Sequence, residues 1–348
     1  MKHFFWTTLA GLFGLATALL LHSGGSWLWA EAFNSNELVI VNALPSAFVD
    51  QRATAILISP PLPPLPAPLT LSFVGDVMLA RGVERSVEKN GGNDWSWIFQ
   101  EVTALRGSDI LFGNLEGPIS ARGQNVGSQY SFRFDPAVAD ALAGAGFDVL
   151  SVANNHAGDW TRTAFTDTLD HLNRVGIIAV GGGLNAAEAK AVKIIERDGK
   201  KIGFLAASDV GPAWLTATPE QSGILLANDP NLAAIISAAA SSVDTLVVSF
   251  HWGDEYKPVS NARQQKLARL AIDAGAKIVI GHHPHVAQEI EYYQGGLIAY
   301  SLGNFIFDQY FSPETMRGTV LHVKLLNNQI DKVETEIAIL NEYFQPQL

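Results

Sequence analysis

The residues able to do chemistry in this chain sit directly after short apolar runs. Phe73-Val74 leads into Gly75-Asp76, Phe112 into Gly113-Asn114-Leu115-Glu116, and Val152 into Ala153-Asn154-Asn155-His156. Further on, Phe250 precedes His251-Trp252-Gly253-Asp254-Glu255, and Ile280 precedes Gly281-His282-His283-Pro284-His285. Carboxylates, amides and imidazoles delivered together are the ligand types of a metal centre. The His-rich pentapeptide is the sharpest local signal. His283 and His285 alternate along a segment stiffened by Pro284, and Gly281 allows the backbone to turn closely at the site. The chain has no cysteine, which removes thiolate sites, disulfides and cysteine nucleophiles together. Any ion is therefore held by His, Asp, Glu or Asn, which favours Mn, Fe(II), Zn or Mg.

Groups so far apart in sequence need a scaffold that gathers strand ends at one edge, as open α/β sheets do. The chain has 348 residues, 48% apolar and 16% charged, enough for a large packed core. Apolar runs at 69–74, 109–112, 147–152, 176–180, 202–206, 245–250 and 277–280 read as strands. Amphipathic stretches at 136–145, 162–175, 231–240 and 261–274 lie between them. This alternation predicts an α/β fold with buried, largely parallel strands. After Gly281 the pattern changes to turn-connected strands at 287–293, 297–301, 319–326 and 332–340, with Asn327-Asn328 as a hairpin turn. The expected body is a mixed-sheet sandwich with helices outside.

The preceding segments read differently. Residues 1–32 form a leader in which Phe4 to Leu21 carry no charge and Lys2 stands before them. As a helix, this run spans roughly 27 Å, close to the bilayer hydrocarbon thickness. It predicts a single-pass membrane anchor with Trp27 and Trp29 at the interface and the rest of the chain outside the cytoplasm. The competing reading is a secretory signal peptide cut after Ala30-Glu31-Ala32. Residues 33–68 read as a linker, and the prolines of 59–68 favour an extended polyproline spacer. The catalytic domain is expected over 69–348. With 23 Lys plus Arg against 34 Asp plus Glu, the net charge is −11, which argues against a nucleic-acid partner.

Six segments in order resemble the CapA-type (poly-γ-glutamate capsule synthesis) proteins, a branch of the calcineurin-like metallophosphoesterase superfamily. They are Phe73-Val-Gly-Asp-Val-Met78, Gly113-Asn-Leu-Glu116, Ala153-Asn-Asn-His156 with Asp159, His251-Trp-Gly-Asp-Glu-Tyr256, Gly281-His-His-Pro-His-Val286 with Gln288, and Tyr300-Ser-Leu-Gly-Asn-Phe305. The resemblance implies a four-layer α-β-β-α sandwich, metallo-dependent phosphatase-like, with one or two divalent ions (Mn, Fe or Zn) at one sheet edge. It implies Asp76 and His285 on the first ion, Asn155, His251 and His283 on the second, and Glu116 in place of a bridging Asp. It further implies that His156 protonates the leaving group, with Asp159 orienting it. His282 is an extra histidine, and a shift of one residue would make it a ligand instead.

The departures from the superfamily pattern count as well. Met78 stands where an imidazole is usual, and a thioether is a poor ligand for these ions. Asp159, Glu255 and Asn304 are the candidates for the missing group, and the pattern predicts one ion held firmly and a second held weakly. Arg81, Arg133, Lys257 and Arg263 are candidate clamps for an anion; Trp252, Tyr256 and Phe305 are candidate pocket walls or core. Gly181-Gly182-Gly183 reads as a loop with an option on anion binding. The resemblance implies synthesis or export of an anionic polymer such as poly-γ-glutamate, with a phosphoester or the polymer as substrate and other capsule-synthesis subunits as partners. Three activities remain open at this point: phosphoester hydrolysis, non-catalytic polymer binding, and amide hydrolysis of the polymer. No Gly-x4-Gly-Lys-Ser/Thr loop is present, so polymerisation itself is not expected here.

Overall fold

A computed structural model describes residues 68–348 and, before them, the strands Thr8–Leu9, Ala16–Ser23 and Ser26–Ala32. The spacer read at 59–68, except for Pro68, and the linker residues from 33 onward lie outside the described residues. By internal contacts the chain divides into Met1–Pro64 and Leu65–Leu348.

In the first unit, Ala16–Ser23 pairs antiparallel with Ser26–Ala32, from Thr17 opposite Ala32 to Ser23 opposite Ser26. Among the described residues no helix is long and apolar enough to cross a membrane. This overturns the single-pass helical anchor and the localisation drawn from it. Hydropathy measures the transfer of side chains out of water. It is indifferent to whether the backbone closes its hydrogen bonds within a helix or across a hairpin, and here they close across a hairpin.

The second unit begins with β1 (Leu69–Val77), α1 (Arg81–Asn90), a 3-10 stretch over Trp95–Gly107, and β2 (Ile110–Leu115). It continues with α2 (Val138–Ala145), β3 (Val149–Ser151), α3 (Thr161–Arg174) and β4 (Ile178–Val180). A second set follows: β5 (Lys193–Arg197), β6 (Lys200–Ser208), α4 (Leu232–Ala240), β7 (Thr245–His251), α5 (Ala262–Asp273) and β8 (Ile278–His282). The chain closes with β9 (Ile290–Tyr293), β10 (Gly296–Ala299), β11 (Asn304–Ile306), β12 (Arg317–Leu326), β13 (Gln329–Leu340) and β14 (Pro346–Gln347).

These strands make two large sheets. One has the order β14-β13-β12-β1-β2-β3-β4, with β11 pairing β1 beyond that path; the other has the order β9-β10-β8-β7-β6-β5. The strands β1 to β4 run parallel, as do β6, β7, β8 and β10. Their near-continuous apolar character is what burial on both faces requires. Alternation along the smaller sheet assigns its faces. Phe204, Val247, Ile278, Ile280 and Leu297 join the core shared with the larger sheet. Their neighbours Leu205, Leu246, Val248, Val279 and Ile298 pack with Ile236 of α4 and Leu267 of α5. On the larger sheet, Phe112 stacks on Phe204 with ring centroids 5.9 Å apart. The adjacent Gly113 faces the other way, against Phe147 and Leu150, beside the helical layer reached through Phe99. The expected four-layer sandwich is thus the observed one.

Phe112 also lies 5.9 Å from Phe73 and is fully buried, so it ties the two sheets together. Phe112→Ala is expected to cost about 3–5 kcal/mol, read as a lower denaturant midpoint with an unchanged slope.

Left-handed two-residue turns explain two of the antiparallel pairs. Asn327 and Asn328 have φ of 51° and 62° and connect Leu326 to its partner Gln329, the paired left-handed residues of a two-residue hairpin. Asp198 and Gly199, with φ of 50° and 71°, do the same between β5 and β6, a signal that the sequence carried and the strand pattern passed over. α1 was also passed over, because only Val83, Ser86 and Val87 are buried on it, a stripe too short to stand out.

Candidate metal centre

The carboxyl ends of the parallel strands from both sheets meet at one edge. Asp76 pairs with Asn114 across β1 and β2 and with Asn304 of β11, while His251 is opposite His282 across β7 and β8. Two glycines make this approach possible. A Cβ on Gly75 would lie 2.0 Å from the Gly303 carbonyl oxygen, and one on Gly281 2.0 Å from that of Tyr300. The loop after β7 is tied to the His-rich loop by the Tyr256 N–H, which donates to the Pro284 carbonyl at 2.8 Å. Tyr256, His283 and His285 have φ of 61°, 97° and 57°. This left-handed backbone is strained for side-chain-bearing residues and tends to cluster at functional sites.

All eight residues singled out from sequence fall in one connected cluster. Asp76, Glu116 and His285 are buried, with one ligand atom of each within 4.8 Å of the others. Asp76 Oδ2 accepts the His283 N–H at 3.1 Å and lies 3.3 Å from His285 Nδ1. Glu116 Oε1 lies 3.7 Å from His285 Nε2 and 3.8 Å from His156 Nε2. Asn155 Oδ1 meets His251 Nε2 at 2.7 Å, and the His251 and His283 rings are 4.8 Å apart. His156 Nδ1 is 2.7 Å from Asp159 Oδ2, which also accepts the Phe132 N–H at 2.8 Å. With Nδ1 so engaged, Nε2 faces Glu116, and the ring rests on Phe132 at 4.0 Å.

The donor set fits a divalent cation. Glu116 Oε1 and His283 Nδ1 are buried with no hydrogen-bond partner, the condition an ion relieves. Burial would raise the Asp76 carboxyl, yet His282 and His285 hold it well below the usual range. Burial and then the Asp76 charge push Glu116 well above it, against the pull of His285. Burial and His283 keep His251 well below the ordinary imidazole range, and burial with His285 presses His283 down to about 3. Burial opposes the charge on His285 too, but the Glu116 and Asp76 carboxylates outweigh it and raise this imidazole to about 9. The shifts of Glu116 and His285 both express crowded buried negative charge, the charge a metal ion would neutralise.

The remaining candidates sort clearly. Met78 Sδ turns back to accept the Ala80 N–H at 3.2 Å, so it offers nothing to an ion. Asn304 Oδ1 meets His285 Nδ1 at 3.0 Å, and its amide donates to the Thr315 carbonyl at 2.9 Å; it orients a ligand. His282 lies between the sheets against Phe112, with Nδ1 3.3 Å from Asp76 Oδ1. Trp252 and Phe305 are core. Arg133 stacks on Trp160 at 3.7 Å and Arg263 pairs with Asp209 at 2.7 Å. Lys257 is exposed. Only Arg81 among these cations reaches the mouth, a cleft of about 200 Å³ that it lines with Phe132, His156, Tyr256, His285 and Phe307. The glycine run is not the loop expected from sequence: Gly182–Gly183 is a short strand paired antiparallel with Gly223 and Ile224, where side chains would strike Phe165 and Glu188.

Asn114 and Asn154 went unassigned in the sequence reading, yet they hold the centre together. Asn154 Nδ2 donates to Asn114 Oδ1 at 3.2 Å and to the Leu115 carbonyl at 2.7 Å. This turns the Asn114 amide toward Asp76 Oδ1, 2.8 Å away, with His251 Nδ1 at 3.4 Å. The available signal was position, since Asn114 lies at the carboxyl end of β2 and Asn154 three residues beyond β3, both in motif segments.

The sequence of residues 70–309 matches the family described as bacterial capsule synthesis protein PGA_cap. The chain belongs to that family. It is 38% identical over 245 residues to the PGA biosynthesis protein CapA of Bacillus subtilis (strain 168), covering 69% of this chain and 64% of the relative. It is 36% identical over 250 residues to the capsule biosynthesis protein CapA of Bacillus anthracis, covering 69% and 60% respectively. The chain therefore spans less than two thirds of the length of these two relatives. A crystal structure of a hypothetical protein from Thermus thermophilus aligns at 14% identity with a TM-score of 0.51, over 77% of this chain and 98% of that one. That likeness is one of fold. This PGA_cap member accordingly folds as a four-layer α-β-β-α sandwich that carries candidate divalent-metal ligands at its sheet edge.

Proposed function

We propose that this PGA_cap protein is a metal-dependent hydrolase of a phosphoester bond, serving synthesis or export of an anionic polymer of the poly-γ-glutamate class beside other capsule-synthesis subunits. The observation that carries the reading is Glu116 Oε1, buried without a partner between His156 Nε2 and His285 Nε2. Asp76, Glu116 and His285 would hold one ion, and Asn155, His251 and His283 a second. Bound there, divalent ions supply Lewis-acid stabilisation for a phosphoryl group and an attacking water. The protein's own groups do the rest. Asp159 fixes the His156 ring so that Nε2 can give its proton to the departing oxygen. Arg81 lies over Phe132 at 4.7 Å and is ion-paired with Asp308, so the anionic end of a substrate in the cleft would have to draw the guanidinium from that carboxylate. The names of the two Bacillus relatives, a PGA and a capsule biosynthesis protein, support the polymer assignment.

The test is elemental analysis of the purified full chain, with phosphoesters and poly-γ-glutamate assayed in parallel before and after chelation. Bound Mn, Fe or Zn is expected, with phosphate release that chelation stops and added metal restores. Metal-free wild-type protein, or turnover untouched by His283→Ala, overturns the reading. Shortened polymer without phosphate release would replace it with amide hydrolysis, and polymer binding without any turnover with an accessory role.

A further inference from the structure

Glu255 stands apart from the ligands that the resemblance supplied. One oxygen of its exposed carboxylate and one nitrogen each of His283 and His285 lie within 4.8 Å of one another. Both imidazoles are at least nine-tenths buried, at 5% and 2% exposure, and His283 Nδ1 has no partner. The juxtaposition is built rather than incidental. The Tyr256 N–H holds the Pro284 carbonyl at 2.8 Å, which clamps the Glu255 loop to the turn carrying both histidines. Gly253 and Tyr256, on either side of that carboxylate, take φ of 87° and 61°, a bend that ordinary residues resist.

Position 78 supplies no ligand to the centre, because Met78 Sδ is committed to the Ala80 N–H. We infer that Glu255 makes good this deficit, completing an outer metal seat with His283 and His285. The seat opens on the cleft lined by Glu255, Tyr256 and His285. Hard carboxylate oxygen with two imidazoles suits Mn, Fe(II) or Zn. The buried group of Asp76 and Glu116 counts the same His285, so the two seats compete for that imidazole, and Glu255 with His283 retains the outer ion when His285 serves the inner one. An exposed carboxylate is also free to move, so the outer seat is the weaker and the faster to exchange. This inference rests on the metal-centre reading above and deepens it.

Its test is Mn²⁺ titration of chelator-stripped full-length protein, with free Mn²⁺ followed by electron paramagnetic resonance. Wild-type protein is expected to show a tight and a weak class of bound ion. Glu255→Gln should weaken the weak class at least about tenfold, the scale on which even an indirect ligand contact acts, and leave the tight class within twofold. Glu255→Asp should recover part of the loss. Because Glu255 is exposed, thermal unfolding of the stripped variants should match wild type. Two tight classes unchanged by Glu255→Gln, or a single class that the substitution does not affect, would sink the outer seat while leaving the metal centre standing. No Mn²⁺ binding by wild type would remove both.

Discussion

Glu116→Gln should reduce metal-dependent turnover by about a thousandfold, the upper scale for removing one element of a preorganised electrostatic site. The substitution keeps the shape of the side chain and removes only its charge. In the folded, metal-free protein Glu116 is pushed well above the ordinary carboxylate range by burial and then by Asp76. Its ionisation therefore opposes folding at pH values above its unfolded range, and an amide relieves that cost. The two readouts should move in opposite directions. Chelator-treated Glu116→Gln should melt no lower than chelator-treated wild type at neutral pH, whereas stabilisation by added Mn²⁺ should largely disappear. A variant that loses apo-stability and still binds the tight ion would place Glu116 in the core and outside the centre.

The second large effect falls on the proton donor. His156→Asn should slow hydrolysis of an alkyl phosphoester by about 10²–10⁴-fold, the range for general acid catalysis. An aryl ester with an acidic phenol should suffer far less, since its leaving oxygen needs no proton. Asp159→Asn should show the same substrate dependence at smaller size, because it acts by holding Nδ1 of His156 at 2.7 Å. Bound metal should stay at the wild-type level in both variants. Rates across a series of leaving groups provide the measurement. An equal loss on alkyl and aryl esters would assign His156 to positioning and not to proton transfer.

The distribution of these predictions reflects what each level of organisation holds. Apolar runs and amphipathic stretches are local, so β1, β2, β6, β7 and β8 could be read within a few residues of their observed ends, and Asn327-Asn328 specified its turn through backbone preference alone. The same locality marked Asp76, Glu116, Asn155, His156, His251, His283 and His285, because each closely follows an apolar run that parallel pairing must bury. The leader shows the limit of that logic: its hydropathy fitted a spanning helix, and the observed Ala16–Ser23 strand pairs across a hairpin.

Local residue order carries the layered α/β body, the candidate ligand types and the family. The tertiary structure alone decided how the centre is wired. Met78 turns its sulfur toward Ala80, Asn114 links Asp76 to His251, His282 faces inward, and Glu255 closes on His283 and His285. Each of these outcomes depends on backbones meeting across long sequence separations, as where Gly75 abuts Gly303 and Gly281 abuts Tyr300. Residue type sets what a side chain can bind, but its direction at a strand end is fixed by the packing of the strand beside it.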